Sequence, residues 1–341
     1  MMAVHSASIM MRPMKSATIA LDWPGRPAKP HARTHAFCSS GGPNGFWDDR
    51  LYHADNLQVL EHLAAEMPGQ FDLIYIDPPF NTGRNFILSG DLTGPAYSDR
   101  HDGGITGYLT QLYPRLSLIH RLLSPTGTLY LHCDYRVSSH LRLLLDEIFR
   151  PENLRAQIIW HYQSGGRQKH CWSMKHDVIW MYSRGKGFTF NAAAVGVRRG
   201  RAPRNHMKQI VTAEGKSVFT IRSAGKIYSY SEDDLLTPAS VWTDISHLQQ
   251  KDPERTGYAT QKPEKLIERI ILASSNPGAL VADFYCGSGT TLAAAKRLGR
   301  RWIGCDTGAA AIGVCSKRLS PGTGPTQHAF YTLPGDGEHG A

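Results

Sequence analysis

Two hydrophobic periods alternate along this chain. Leu57, Leu60, Leu63 and Ala64 keep helical spacing up to Pro68-Gly69, whereas Phe71–Ile76 is a short unbroken apolar run, the kind that fills a strand covered on both faces. That run stops abruptly at Asp77-Pro78-Pro79-Phe80. Leu109, Leu112, Leu116, Ile119 and Leu123 predict a helix ended by Ser124-Pro125-Thr126-Gly127, and Thr128–Cys133 predicts the next strand. A helix carrying Leu141, Leu144, Leu145 and Ile148 follows. Ala156–Tyr162 and Asp177–Tyr182 then read as an antiparallel pair finishing the sheet, on either side of a polar stretch. From Phe188 to Gln250 the pattern dissolves into glycines, basic residues and short β-prone pieces such as Ser217–Ile221. It returns at Pro263, which suits a first helical turn, with Leu266, Ile267, Ile270 and Ile271 on one face until Asn276-Pro277-Gly278. The strand Ala279–Asp283, a glycine loop, a helix through Leu298, the strand Arg301–Asp306 and an alanine-rich helix to Leu319 complete the series.

Strands alternating with helices predict an α/β domain built on an open, mostly parallel sheet. Its two halves are residues 46–187 and 251–320, separated by an insertion at 188–250. Residues 1–45 mix Pro, Gly, Ser and His without periodicity and are expected to form a flexible basic arm; 321–341 are expected to be a flexible tail.

Composition adds exclusions. Forty-one per cent apolar and 20% charged residues are ordinary globular usage and exclude disorder for the bulk of the chain. No apolar run approaches the length of a membrane span, so no transmembrane helix is expected. Six cysteines without C-x-x-C spacing do not read as a disulfide framework or a zinc site, and they fit a cytoplasmic protein. The histidines show no metal-ligand spacing. Residues 1–21 contain no acid, as in mitochondrial presequences, but Arg12-Pro13-Met14-Lys15 breaks any secretory apolar core.

The net charge of +9 is uneven: +4 over residues 1–45, −5 over 46–150, +7 over 151–260 and +3 over 261–341. A neutral-to-acidic framework with a basic middle fits a soluble enzyme carrying a surface for a polyanion; a solvated basic loop accounts for the charge equally well.

Two motifs carry chemistry. In Asp283-Phe284-Tyr285-Cys286-Gly287-Ser288-Gly289-Thr290-Thr291, the glycines let the backbone turn tightly and bring a ligand against main-chain N–H groups at a helix start. The third glycine of a dinucleotide fingerprint would fall at Leu292, and no G-K-[ST] follows, so a nucleoside-type ligand remains, with Asp306 placed to hold ribose hydroxyls. A lone glycine turn serving helix–strand packing is the plainer account, and the strand-end acids Asp283 and Asp306 argue against it. Asp77-Pro78-Pro79-Phe80 lies at the carboxyl end of a strand, where open α/β sheets bind ligands. Its prolines remove two N–H donors and stiffen the turn, fixing carbonyl acceptors beside a carboxylate as a clamp for an N–H₂ group, while Phe80 offers a flat stacking face. Held by acceptors, such an amine is a better nucleophile toward an electrophilic methyl group.

These motifs, with Gln261-Lys262-Pro263-Glu264-Lys265-Leu266 between them in the chain, resemble the amino-methylating DNA methyltransferases that use S-adenosylmethionine. Their order, tetrapeptide first and cofactor loop last, resembles the β class of that family over residues 46–319. The resemblance implies a Rossmann-like, mostly parallel sheet with helices on both faces, an antiparallel end and a circularly permuted motif order. It assigns Asp77, Pro78, Pro79 and Phe80 to catalysis. Asp283, Phe284, Gly287, Ser288, Gly289 and Thr290 would surround the methionine end of the cofactor, Asp306 its ribose, Gln261 and Lys262 its carboxylate, and Asp55 its adenine; a helix N-cap accounts for Asp55 nearly as well. Phe80 stands where Tyr is commoner and keeps the stacking face; Phe284 stands where Pro is frequent.

Within the family, no Cys follows Pro as C5-cytosine methylation would require, and Asp77 rather than Ser leans toward adenine N6 over cytosine N4. The expected reaction is methylation of a flipped adenine in duplex DNA, without metal. Residues 188–250 would recognise the target, with Arg198, Arg199, Arg201, Arg204 and Lys208 meeting phosphates. Trp160 and Trp180, in strand-like pieces, read as core rather than as stacking residues. A cognate restriction endonuclease and a homodimer are the further partners implied. The rival readings are a DNA-binding subunit working only with a restriction partner, and an RNA methylase.

Overall fold

The computed structural model describes residues 20–40, 49–83, 85–87, 95–99, 102–163, 168–201, 206–320 and 328–334. Along the chain run the strands β1 (Cys38–Ser40), β2 (Arg50–His53) and β3 (Phe71–Ile76), with helix α1 (Asn56–Glu66) between the last two. After a small hairpin of β4 (Asn85–Ile87) and β5 (Pro95–Ser98) come α2 (Gly104–Leu122), β6 (Leu123–Cys133), α3 (Tyr135–Phe149), β7 (Leu154–His161) and β8 (His176–Ser183). The insertion holds β9 (Val197–Arg198), β10 (Lys208–Val211), β11 (Ser217–Ser223), β12 (Lys226–Ser231) and β13 (Leu235–Leu236), followed by β14 (Val241–Trp242). The chain then forms α4 (Glu264–Ser274), β15 (Leu280–Asp283), α5 (Thr290–Arg297), β16 (Arg301–Asp306), α6 (Ala309–Leu319) and β17 (Ala329–Thr332).

Ten strands make one sheet in the order β1-β17-β2-β16-β15-β3-β6-β8-β7-β14. From β17 to β6 every pairing is parallel, and β8 lies antiparallel between β6 and β7. The expected antiparallel pair is present, with the short β14 added parallel to β7 outside it. Helices α1, α2 and α3 cover one face through a core containing Val59, Leu112 and Leu141; α4, α5 and α6 cover the other through Leu266, Leu292 and Ile312. Residues of β3 divide between these cores, Ile74 and Ile76 facing the first and Leu73 and Tyr75 the second, which is why its sequence reads as a continuous apolar run. The insertion forms a three-stranded sheet, β10-β11-β12, and the two-stranded β9-β13. Pro263 is the N-cap of α4 rather than a residue of its first turn.

The two termini depart from expectation. Of the predicted flexible arm, residues 20–40 are docked: Trp23 is 7% exposed, its indole N–H donates to Thr110 Oγ1 at 2.9 Å, and its ring meets Tyr113 edge-on at 6.2 Å. Arg26 pairs with Glu147 and Arg33 with Glu61, while β1 pairs with β17. In the predicted tail, residues 329–332 are β17, which joins the sheet beside β2 with Tyr331 stacked on Tyr52 at 4.6 Å. Neither piece carries a hydrophobic period, and each is ordered by the sheet or helix it lands on. Apart from His328, Leu333 and Pro334, the rest of both predicted segments lies outside the described residues.

Because Trp23 anchors this segment, Trp23→Ala should lower stability by about 3 kcal/mol. Urea unfolding followed by circular dichroism checks this; an unchanged midpoint would mean that residues 20–40 add nothing to the fold.

Candidate active site

Three neighbouring parallel strands end in carboxylates. Asp306 is the last residue of β16, Asp283 the last of β15, and Asp77 follows β3 directly. From β15 the chain leaves through α5 toward β16, and from β3 it leaves toward β6 on the opposite side, so the strand order reverses between β15 and β3. Such a reversal opens a crevice at the carboxyl ends. A cavity of about 990 Å³ lies there, lined by Asp77, Phe80, Lys262, Asp283, Ser288 and Asp306 among others. The motifs at 77–80 and 283–291, about two hundred residues apart, thus share one chamber.

Asp77 Oδ2 accepts a hydrogen bond from Lys262 Nζ, whereas Oδ1 is buried and has no hydrogen-bond partner among the described residues. Lys262 Nζ also stands 5.3 Å from the centre of the Phe80 ring. Behind the tetrapeptide, Asn81 takes a left-handed φ of 56°. The buried Asp99 carboxylate holds that bend, accepting from the Asn81 and Thr82 N–H groups at 2.6 and 3.0 Å and from the Thr82 hydroxyl.

The glycine loop is shaped by its protein neighbours. Gly289, at φ +75°, heads α5, and a Cβ there would lie 2.5 Å from Cys315 Sγ, so glycine is required for α6 to pack. Gly287, at φ +50°, lies under the Tyr258 ring, where a Cβ would come to 3.1 Å. The Gly287 N–H donates to Asp306 Oδ2 and the Gly308 N–H to Oδ1, both at 2.9 Å. Asp283 is buried: Oδ1 accepts from the Tyr285 N–H at 3.0 Å and Oδ2 from the Thr291 hydroxyl at 2.6 Å. Burial pushes its carboxyl up to about 7, against those two hydrogen bonds and with help from the charges of Asp77 and Asp306. Ser288 and Thr290 are buried beside each other.

Four of the expected cofactor residues have partners within the protein. Gln261 holds its own loop: its carbonyl accepts from the Thr256 N–H and hydroxyl, and its amide donates to the Glu254 carbonyl. Lys262 points to Asp77. The Phe284 ring is buried in the core 6.2 Å from Phe71, leaving its main chain to reach the cavity and its carbonyl to accept from Asn56. Asp55 is the N-cap of α1, its Oδ1 accepting from the Leu57 N–H at 2.7 Å and from Arg115 at 2.8 Å, while it also borders the cavity.

The basic cluster is less free than its sequence suggests. Arg201 makes a two-pronged pair with Glu232, Arg198 lies 3.5 Å from Asp233, and Arg199 is buried over the Phe219 ring at 3.3 Å. The acids come from the far end of the hairpin, which linear spacing does not reveal. Lys208 is exposed on β10, and Arg204 lies outside the described residues. Trp160 and Trp180 are buried, but Trp160 also walls the cavity.

One group escaped the sequence reading. Tyr75 bonds His132 Nδ1 at 2.8 Å, His132 Nε2 bonds Asp177 Oδ2 at 3.1 Å, and the Tyr162 hydroxyl donates to Asp177 Oδ1 at 2.9 Å. Because the carboxylate can only accept, Nε2 carries the hydrogen of that bond. Burial pushes Asp177 up, but the His132 bond and charge, the Lys262 charge and the Tyr162 hydroxyl outweigh it and hold the carboxyl below its usual range. The Phe80 ring lies 5.9 Å from the His132 ring at a tilt of 30°, so this network floors the tetrapeptide. The available signal was a polar residue inside each apolar strand, Tyr75 and His132.

The family model described as DNA methylase matches residues 71–315. DNA adenine methyltransferase YhdJ of Escherichia coli is 30% identical over 277 residues, 79% of this chain and 82% of its own. Type II methyltransferase M.HpaI of Haemophilus parainfluenzae is 29% identical over 273 residues, 80% of this chain and 74% of its own. The solved M1.HpyAVI-SAM complex is 20% identical and shares the fold with a TM-score of 0.51, covering 80% of this chain and 98% of the other.

Asp283 generates a pH prediction. Its folded value of about 7 lies above the ordinary 3.8, so between these the folded state holds a proton that the unfolded chain releases. This contribution to stability is complete below the ordinary value and is lost as pH rises through about 7. Asp283→Asn, which keeps a carbonyl acceptor and an amide for Thr291, should remove that fall. Melting temperatures of parent and variant between about pH 5 and 8 check this; parallel curves would refute it.

Proposed function

The chain belongs to the DNA methylase family, and on that premise we propose that it transfers a methyl group from S-adenosylmethionine to the N6 amine of a flipped adenine in duplex DNA. The observation that carries this reading is the single chamber shared by Asp77–Phe80 and the loop Asp283–Thr290. The family match supports methylation of DNA, and the adenine methyltransferase named among the relatives supports N6 over cytosine N4.

The chamber fits the cofactor. Its volume of about 990 Å³ suits a nucleoside carrying an amino acid, and Asp77, Asp177, Asp283 and Asp306 surround it with carboxylates suited to a cationic ligand. Asp306 and Asp55 would take the nucleoside, the loop 283–290 the amino-acid end, and Lys262 the carboxylate. When bound, S-adenosylmethionine supplies an electrophilic methyl group on a positively charged sulfur. Asp77 and the Pro78 carbonyl accept the amine hydrogens, and Pro79 keeps that turn stiff. Phe80, resting on His132, stacks against the base. As the nitrogen gains the methyl it must lose a proton, and Asp77 Oδ1, already a hydrogen-bond acceptor to that amine, receives it.

Exposed Lys208, Arg222 and Lys226, on the three-stranded sheet of the insertion, are better phosphate contacts than the paired Arg198 and Arg201. A cognate restriction endonuclease and a homodimer are the further partners of this reading. A DNA-binding subunit that needs such a partner for activity is the alternative, and the intact tetrapeptide and glycine loop oppose it.

Expression in a host lacking its own methylases, followed by single-molecule sequencing of its genome, should reveal N6-methyladenine at one recurrent motif. Methylcytosine would overturn the base assignment, and an unmodified genome the activity of the isolated chain. Asp77→Ala should cut methyl transfer at least about a hundredfold without weakening cofactor binding. Lys208→Ala should lower the slope of log affinity against log salt by about one, and Arg201→Ala by less, in filter binding to plasmid DNA.

A further inference from the structure

Lys262 stands between the two ligands of the site. Its ammonium is bonded to Asp77 Oδ2 and hangs over Phe80, with both partners largely withdrawn from water, the side chains being 12% and 17% exposed. The pair is part-buried, so a second anion that takes over the ammonium eases its separation. The other Asp77 oxygen, Oδ1, is buried without a hydrogen bond among the described residues. One Asp77 oxygen is therefore held by a cation and the other is open.

The backbone of Lys262 is fixed on both sides. Gln261 is tied to Thr256 and Glu254, Pro263 caps α4, and the Thr290 hydroxyl at the head of α5 donates to the Lys262 carbonyl at 3.3 Å. Any rearrangement must come from the four-carbon side chain. An ammonium on Asp77 weakens that carboxylate as an acceptor for the target amine, and it repels a positively charged methyl donor.

We propose that Lys262 is a positioning residue that hands over between two carboxylates: it holds Asp77 until the carboxylate of the cofactor takes the ammonium, and Asp77, freed of the cation, then faces the target amine beside the Pro78 carbonyl. This rests on the reading of the chamber as an S-adenosylmethionine site. Its consequence is an order of events, because cofactor binding opens the clamp and the base enters afterwards. The two ligands are coupled through one cation, and the coupling is reciprocal.

The test needs no DNA. Full-length protein and its variants are titrated by calorimetry with S-adenosylhomocysteine, which has the amino-acid carboxylate, and with methylthioadenosine, which shares the nucleoside and thioether but lacks it. Lys262→Gln should weaken S-adenosylhomocysteine about tenfold and leave methylthioadenosine within about twofold. Asp77→Asn, by releasing Lys262, should tighten S-adenosylhomocysteine about fivefold and leave methylthioadenosine unchanged. In the Lys262→Gln background, Asp77→Asn should have no effect. If Asp77→Asn acts equally with and without Lys262, or if Lys262→Gln weakens both compounds alike, the handover is wrong while the cofactor site stands. If neither compound binds the parent chain, the cofactor reading itself falls and the handover with it. Lys262→Met repeats the cycle should the glutamine variant fail to fold.

Discussion

Everything at the site depends on β15 lying beside β3. Only Val281 opposite Leu73 and Ala282 opposite Ile74 are in register, yet this contact joins the two distant motifs. Asp72 pins it from the far end, its Oδ2 accepting from the Leu280 N–H at 3.0 Å. Both faces are sealed by apolar side chains, so a slip of one residue would exchange the faces toward which Leu73 and Ile74 point. The register is thereby fixed by burial on two sides, and with it the placement of Asp77 next to Asp283.

The antiparallel strand β8 adds what a purely parallel sheet would not. Running opposite to β6 and β7, it presents its beginning, Asp177, at the edge where its neighbours end. Tyr75, His132, Asp177 and Tyr162 therefore come from or directly follow β3, β6, β8 and β7, four strands adjacent in the sheet, and form one lateral line of hydrogen bonds. A line that crosses four strands resists the shearing of any one of them, and Phe80 rests on its middle.

Much of this was legible because burial on two faces leaves an unmistakable mark. The runs Phe71–Ile76 and Arg301–Asp306 are strands over those same residues, and the motifs terminate strands as their sequence implied. What was not legible depends on partners distant in the chain. Gly289 reads as a ligand glycine, but its nearest neighbour is Cys315 on α6. Arg198 and Arg201 read as unpaired until the hairpin returns Glu232 and Asp233 to them. Gln261 reads as reaching outward, although a loop that must hold its own shape uses the nearest amide. His132 carries no local signal of its role, because nothing nearby in the chain shows that two other strands bring Tyr75 and Asp177 to it.

A division of labour between backbone and side chain follows. Pro78 and Pro79 stiffen the chain after Asp77, Asp99 locks the bend at Asn81, and Pro263 with Gln261 fixes the chain around Lys262. The walls of the chamber are thus rigid where they meet both ligands, and the ordering entropy is met by the fold before any ligand arrives. A wholly rigid site, however, would leave the part-buried Asp77 carboxylate without a counter-charge whenever the chamber is unoccupied. A flexible cation on a rigid backbone resolves that conflict: Lys262 compensates Asp77 in the unliganded protein and can leave it without disturbing the strands, helices or turns that set the geometry.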